Sequence, residues 1–223
     1  MQRPYGKRMN RFRMLLPLLA LSCVSVGIIP AAQDVPTIDA TSQPSAPPRG
    51  RGPFPGPIAP GHSAGLPIRL DLLIQTGALR SNGTVLVDFL ITNVGTEPIS
   101  LPASIDQNIG QQTSVLTLWL TSDGLRGQFV KDQQTGAVFK AEVVVTSAEL
   151  YGRSGNSQSF SVLAPGTSMR VHASSRVQLN PGSHSFTAHA EVRRISKGNY
   201  ELVGIADSEA VRKTITASPA TAR

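Results

Sequence analysis

Five residues, Gly61-His62-Ser63-Ala64-Gly65, carry the Gly-x-Ser-x-Gly spacing of a nucleophile elbow. That chemistry needs the serine on a strained strand-to-helix turn, with a base and an acid delivered later by an α/β scaffold. Here the pentapeptide follows a proline-rich stretch and precedes a strand-like alternating run, and no βα alternation lies downstream. The spacing therefore reads as the small-residue end of a linker, and a hydrolase built on Ser63 is kept only as the third functional reading.

The histidines assemble no site on paper. His62 lies in that linker. His184 and His189 share a candidate strand but differ in parity, so their side chains leave opposite faces. His172 sits on what reads as the neighbouring strand and can face one of them, not both. No pair has helical ligand spacing, and no cysteine or carboxylate cluster joins them, so neither a metal nor a cofactor is expected. His184 is expected to pack or hydrogen-bond at a corner. Asp71, Asp88, Asp106, Asp123 and Asp132 are scattered. Several fall in turns, where Asp stabilises local backbone. Paired-carboxylate hydrolysis or a calcium loop would need them to converge.

The elements that must position all these groups are strands. Pro165-Gly166 and Pro181-Gly182 each follow an apolar residue and one spacer, and each opens an alternating segment. Proline presets φ for the first corner of a turn and glycine accepts the positive φ of the second. Leu66 to Ile74 and Val85 to Thr92 alternate, the second being apolar on both parities in its middle, as a central strand is. Ser81-Asn82-Gly83 and Asn93 to Pro98 are turns, and Ile99 to Leu101 start a short return strand. Val115 to Leu120 is the most apolar strand. It holds the sole tryptophan, Trp119, expected to be buried between two sheets. Phe129 and Val130 suggest an edge strand, Ala137 to Val145 a valine-rich one, and Tyr200 to Ile205 and Ala210 to Ile215 the last two. Ser208 to Lys213 is the one stretch that allows a helical turn. Arg193, Arg194 and Lys197 form a basic corner flanked by Glu191 and Glu201, read as a solvated hairpin. Strands at this spacing, with Gly, Pro and Asn turns, predict an all-β antiparallel sandwich over residues 66–217.

The N-terminus has a different character. Arg3, Lys7, Arg8, Arg11 and Arg13 precede an apolar run from Met14 to Ile29, and small residues follow Pro30. This is the order of a secretory signal peptide over residues 1–32. A retained membrane anchor is the alternative, though the run is short for a span. The leader holds five of the 21 basic residues and no acid. Sixteen basic against fourteen acidic residues remain, a net of +2. The basic character therefore belongs to the leader, and nucleic acid is not an expected partner. Cys23 lies in the apolar run, so the processed protein would hold no disulfide or thiol site. The residues around Cys23 also match a lipoprotein box poorly. Residues 33–65 are rich in Pro, Gly and Ser and read as a disordered spacer. Residues 218–223 form a flexible tail.

Two segments carry a resemblance. Leu179-Asn180-Pro181-Gly182-Ser183-His184-Ser185-Phe186 is similar to the corner before a late strand in fibronectin type III and other bacterial immunoglobulin-like modules. In those modules an aromatic hydroxyl ties the corner to the backbone, and His184 stands near that aromatic position here. Leu90 to Ile99 resembles the strand-Asn-turn-Pro element of the same group, which includes adhesion-related modules and a bacterial proteinase-inhibitor family. The resemblance implies an immunoglobulin-like sandwich and no particular activity. The reading is an exported, non-enzymatic binding or assembly module, secreted, periplasmic or of the cell envelope. Its partner would be a protein or envelope component, with the membrane touched only through an uncleaved leader. Contact is expected through the loops Ser104–Gln112 and Gly152–Ser159, at Ile105, Asp106, Gln107, Arg153, Asn156 and Gln158. The alternative is a proteinase inhibitor acting through the second loop.

Overall fold

The computed structural model describes residues 35–43, 61–75, 79–106, 112–125, 128–131, 138–141, 144–196 and 199–218. The expected leader with Cys23, residues 44–60 of the expected spacer, Gln107, Asp132 and residues 219–223 lie outside the described residues.

In chain order the strands are β1 (Thr37–Asp39), β2 (Ser63–Ala64), β3 (Ile68–Ile74), β4 (Leu79–Arg80) and β5 (Asn82–Asn93). There follow β6 (Ile99–Pro102), β7 (Gln112–Ser122), β8 (Gln128–Lys131), β9 (Val138–Ala141) and β10 (Val144–Arg153). The last are β11 (Phe160–Leu163), β12 (Ser168–Gln178), β13 (Gly182–Ser196), β14 (Asn199–Asp207) and β15 (Val211–Thr216). Among the described residues the one helical element is a 3-10 turn at Ser157–Ser159.

A four-stranded sheet runs β1-β12-β5-β3. A seven-stranded sheet runs β10-β7-β13-β14-β2, with β15 on β13 and β4 on β15. Two small antiparallel pairs, β6 with β11 and β8 with β9, complete the set. The long strand β13 organises the larger sheet. One side of it pairs with β7 over Phe186–Arg194, and the other pairs with β15 and then with β14.

Period-two alternation explains the core. Ile68 and Leu70 of β3, Val87, Phe89 and Ile91 of β5, and Met169 and Val171 of β12 bury one face of the smaller sheet. Leu116, Leu118 and Leu120 of β7, Leu150 of β10 and Phe186 of β13 join the same cluster from the larger sheet. The result is β-sandwich-like. Leu118 pairs with Ala148 on one side and Ala190 on the other, and this alternation of large and small lets facing side chains interdigitate. Burial of a phenylalanine such as Phe89 is worth about 1.5–3 kcal/mol.

Several expectations need correcting. Trp119 is buried, yet it does not lie between the sheets. Leu116, Leu118 and Leu120 take the core-facing parity, which leaves Trp119 on the outward face, stacked on His189 with ring centroids 5.2 Å apart. The Pro-Gly corners do not join neighbouring strands. They switch sheets, from β11 to β12 and from β12 to β13. Ala164-Pro165-Gly166-Thr167 closes with a Thr167 N–H to Ala164 O bond of 3.0 Å and Gly166 at φ 76°. Gly182 sits at φ 140°, and Pro181 before it has no N–H with which to continue a ladder, so the chain leaves the smaller sheet there. His172 consequently lies in a different sheet from His184 and His189.

Strand pairing is not purely antiparallel either, because β1 is parallel to β12 and β15 to β4. Asn82 and Gly83 belong to strand β5, leaving Ser81 alone as the turn. Val211 to Lys213 is strand, where a helical turn was allowed for. Two pieces of the expected spacer are paired: residues 37–39 as β1, and Ser63–Ala64 as β2 against β14. Ser63 thus sits in a short strand opposite Ala206.

Candidate functional site

The outward face of the larger sheet carries the richest chemistry. Two bulges build it. Gly152 pairs with Ser114 but Arg153 pairs with Gln112, so Thr113 is an extra residue in β7. Val192 pairs with Gly204 but Arg193 pairs with Leu202, so Val203 is an extra residue in β14. One inserted residue reverses the parity of everything beyond it. Gln112 would otherwise share the core-facing parity of Leu116, and the bulge brings it to the face of Val115 and Thr117. The second bulge does the same for Tyr200, which would otherwise follow Gly204 and Ala206 inward.

Both re-aimed residues line one cleft of about 290 Å³. Val115 and Thr117 of β7, Glu149 and Tyr151 of β10, and Arg193 of β13 complete it. Tyr151 Oη donates to Glu149 Oε2 at 2.7 Å, and Arg193 Nε donates to Glu191 Oε1. Gln112 Nε2 is buried and has no hydrogen-bond partner among the described residues. An unmatched buried donor costs about 1–3 kcal/mol unless something else accepts from it. The wall beside it is fixed by close approach. A Cβ on Gly152 would run into the Phe160 ring and Ser114 Oγ, so only glycine lets β10 pass there. Gln43 clamps the outer edge of β10. Its Nε2 donates to Glu149 O and its Oε1 accepts from Glu149 N, each at 2.9 Å. A side-chain amide here acts as one residue of a neighbouring strand.

Further along the same face, His189 Nδ1 lies 2.7 Å from Asp207 Oδ1, and Nε2 lies 2.9 Å from Thr121 Oγ1. This is the hydroxyl–imidazole–carboxylate order of a nucleophile with its base and orienting acid. Acyl transfer also needs donors aimed at a developing oxyanion. The backbone around Thr121 is occupied on both sides, by β13 and by β10. With the His189 side chain only 7 % exposed and Trp119 stacked on it, the trio fastens the sheet face. No group of three or more His, Cys, Asp or Glu suited to a metal ion occurs among the described residues.

The loop residues expected to make contacts are brought to one end of this face. Arg153 donates to Asp106 Oδ2 at 2.8 Å, and Ser104 bridges to Tyr151. Arg153 is also the strand partner of Gln112, so the end of the cleft and the two loops adjoin. Ile105 is half exposed. Asn156 caps the 3-10 turn, its side chain accepting from Gln158 N. Gln112, Tyr151, Arg193 and Tyr200 were not singled out as contact residues from sequence. The one available signal was the strand Val115 to Leu120, apolar on both parities, which implies a second covered face.

His184 forms a separate fastening. Its Nε2 donates to Asn180 O at 2.7 Å, four residues upstream, as expected for a ring that bonds at the corner.

No protein-family model matches the chain. No curated protein matches it either. Among solved structures, the sporulation control protein Spo0M from Bacillus subtilis is similar at TM-score 0.34 and 10 % identity, over 68 % of this chain and 50 % of that one. The chain thus spans half the length of Spo0M. The C-terminal domain of wzt is similar at TM-score 0.33 and 9 % identity, over 72 % of this chain and 84 % of that one.

Proposed function

We propose that this chain is an exported, non-enzymatic binding module of immunoglobulin-like type, taking its ligand in the cleft between Gln112, Glu149 and Tyr200. The observation that carries the reading is the buried, unmatched amide nitrogen of Gln112, in one cleft with Tyr200, a residue 61 % exposed. A small cleft with a few convergent polar groups is the default form of a ligand site. The bulges that re-aim Gln112 and Tyr200 are the device by which sheets direct side chains into sites. The immunoglobulin-like assignment draws support from the His184 corner, where imidazole replaces the tyrosine hydroxyl tie. Export rests on the order of charged, apolar and small residues over 1–32.

The inhibitor reading has less behind it, because residues 153–159 bond to themselves rather than stretch. Arg153 N donates to Ser159 Oγ at 2.8 Å, and Ser159 Oγ donates to Asn156 O at 2.7 Å.

The test separates envelope material into protein, lipid and polysaccharide fractions and melts the full-length chain in each. A ligand of the folded state raises Tm. One fraction should do so for the native chain and not for Tyr200→Ala. If every fraction moves both proteins alike, the cleft is not the site.

A further inference from the structure

Building on the reading of the cleft as a binding site, we infer that its ligand is a neutral hydroxylated ring, a sugar unit of a saccharide. Charge narrows the field first. Glu191 on Arg193 Nε offsets the charge of that guanidinium, and Glu149, which holds the Tyr151 hydroxyl, adds a carboxylate to the lining, so an anionic ligand meets no net positive charge there. A cationic ligand would leave Gln112 Nε2 unanswered, since an amide N–H needs an acceptor and an ammonium has none.

Geometry excludes a peptide added to this face as a further strand. Strand addition uses the free N–H and C=O of a sheet edge. The cleft lies on a face whose ladders between β10, β7 and β13 are already made.

A sugar ring satisfies what remains. Its C–H face is apolar and fits the exposed ring of Tyr200. Its hydroxyls donate and accept together, so one oxygen takes the Gln112 amide proton while another hydroxyl donates to Glu149. The volume of about 290 Å³ falls just short of the roughly 300 Å³ at which small-molecule sites begin. That is room for one or two rings.

The experiment uses the full-length chain on a printed array of neutral oligosaccharides, followed by calorimetric titration with each hit. Phosphocholine and inorganic phosphate serve as charged probes. A neutral saccharide should bind, Tyr200→Ala should weaken it about tenfold, and Gln112→Ala about three- to tenfold. Tyr200→Phe should bind as the native chain does, because the ring face is retained. Each variant is first shown to melt as the native chain does. Silence across the array, or binding that neither variant changes, overturns the saccharide assignment. Binding of phosphocholine or phosphate that Tyr200→Ala abolishes also overturns it, while the cleft stands as a ligand site. If no probe and no envelope fraction responds, both readings fall.

Discussion

Two glutamines, one on each outward sheet face, meet opposite fates. On the smaller sheet Gln75 Nε2 donates to Asp88 Oδ2 at 2.6 Å, and His172 bonds the other oxygen of the same carboxylate. Asp88 is thereby only 5 % exposed on what is formally the solvent side of β5. On the larger sheet Gln112 Nε2, unlike the exposed Gln75, is enclosed, and it has no hydrogen-bond partner among the described residues. The smaller sheet has gathered Gln75 and His172 onto one carboxylate, as a structural surface does, and leaves Arg170 Nε beside it without a hydrogen bond among the described residues. The other has closed many of its polar groups, through His189 with Asp207 and Arg193 with Glu191, and leaves Gln112 Nε2 and Arg153 Nε buried without a hydrogen-bond partner among the described residues. The lesson is that burial of polar groups does not mark a site. An unmatched group marks a candidate only where, as at Gln112, it lines a cleft.

The largest effect should come from the carboxylates of the two faces. Asp207→Ala strands a His189 imidazole that is only 7 % exposed, and should cost about 3 kcal/mol. Asp88→Ala releases His172 and Arg170, which are 30 % and 36 % exposed and can turn to water, so about 1–2 kcal/mol is expected. Urea unfolding of both variants decides the matter. Equal losses would mean that exposure of the surviving partner is not what sets the cost.

Gly152→Ala comes next. Overpacking against Phe160 should cost about 1–3 kcal/mol in the same assay. Because β10 forms the cleft wall, this variant should also weaken whatever ligand the cleft takes. A silent substitution would show that the wall yields more freely than its packing implies.

The glutamines themselves give a smaller but sharper test. Gln75→Leu removes a partner of the buried Asp88 and should destabilise by about 1 kcal/mol. Gln112→Leu removes a donor with no partner and should be neutral, or stabilising by up to about 1 kcal/mol. Opposite signs from one substitution at two sites would secure the contrast, and a loss at Gln112 would dissolve it.

How much of this was legible in the chain depends on which residues one asks about. Alternation from Ile68 to Ile74 and from Val85 to Ile91 predicts the strands and their buried faces, because parity is local. The turn at Pro165-Gly166 was equally plain, because proline and glycine each carry a conformational preference of their own. Which strand pairs with which was not legible. Pro181-Gly182 looks the same whether it folds a hairpin or hands the chain to the other sheet, and that choice is made by core packing. Trp119 was misplaced for a related reason: a strand apolar on both parities does not say which row faces the other sheet. The cleft was hidden most deeply. Thr113 and Val203 look ordinary in sequence, yet each, as a bulge, moves a side chain across the sheet.

The faintest expected effect concerns the segment that links the two sheets from outside. Residues 35–43 place β1 on the edge of the smaller sheet, and Gln43 on the edge strand β10 of the larger. Unpaired edges invite association, so this strap also protects both. Asp39 within it accepts from the Thr41 hydroxyl and from Thr41 N–H, and these bonds hold its carboxyl below the ordinary value of 3.8, with a smaller contribution from His172. A carboxyl whose folded value is depressed binds its proton less readily when folded. Its stabilisation is therefore complete above the unfolded value, shrinks as pH falls through the folded value, and is absent below it. Protection of the Ala40 amide, which donates to His172 O at 2.9 Å, should fall between pH 5 and the acid side of that range, after correction for intrinsic exchange. Asp39→Asn should flatten the dependence while leaving protection near neutrality little changed. If the variant keeps the same pH profile, the titrating group lies elsewhere and Asp39 does not govern how firmly the strap holds the two edges.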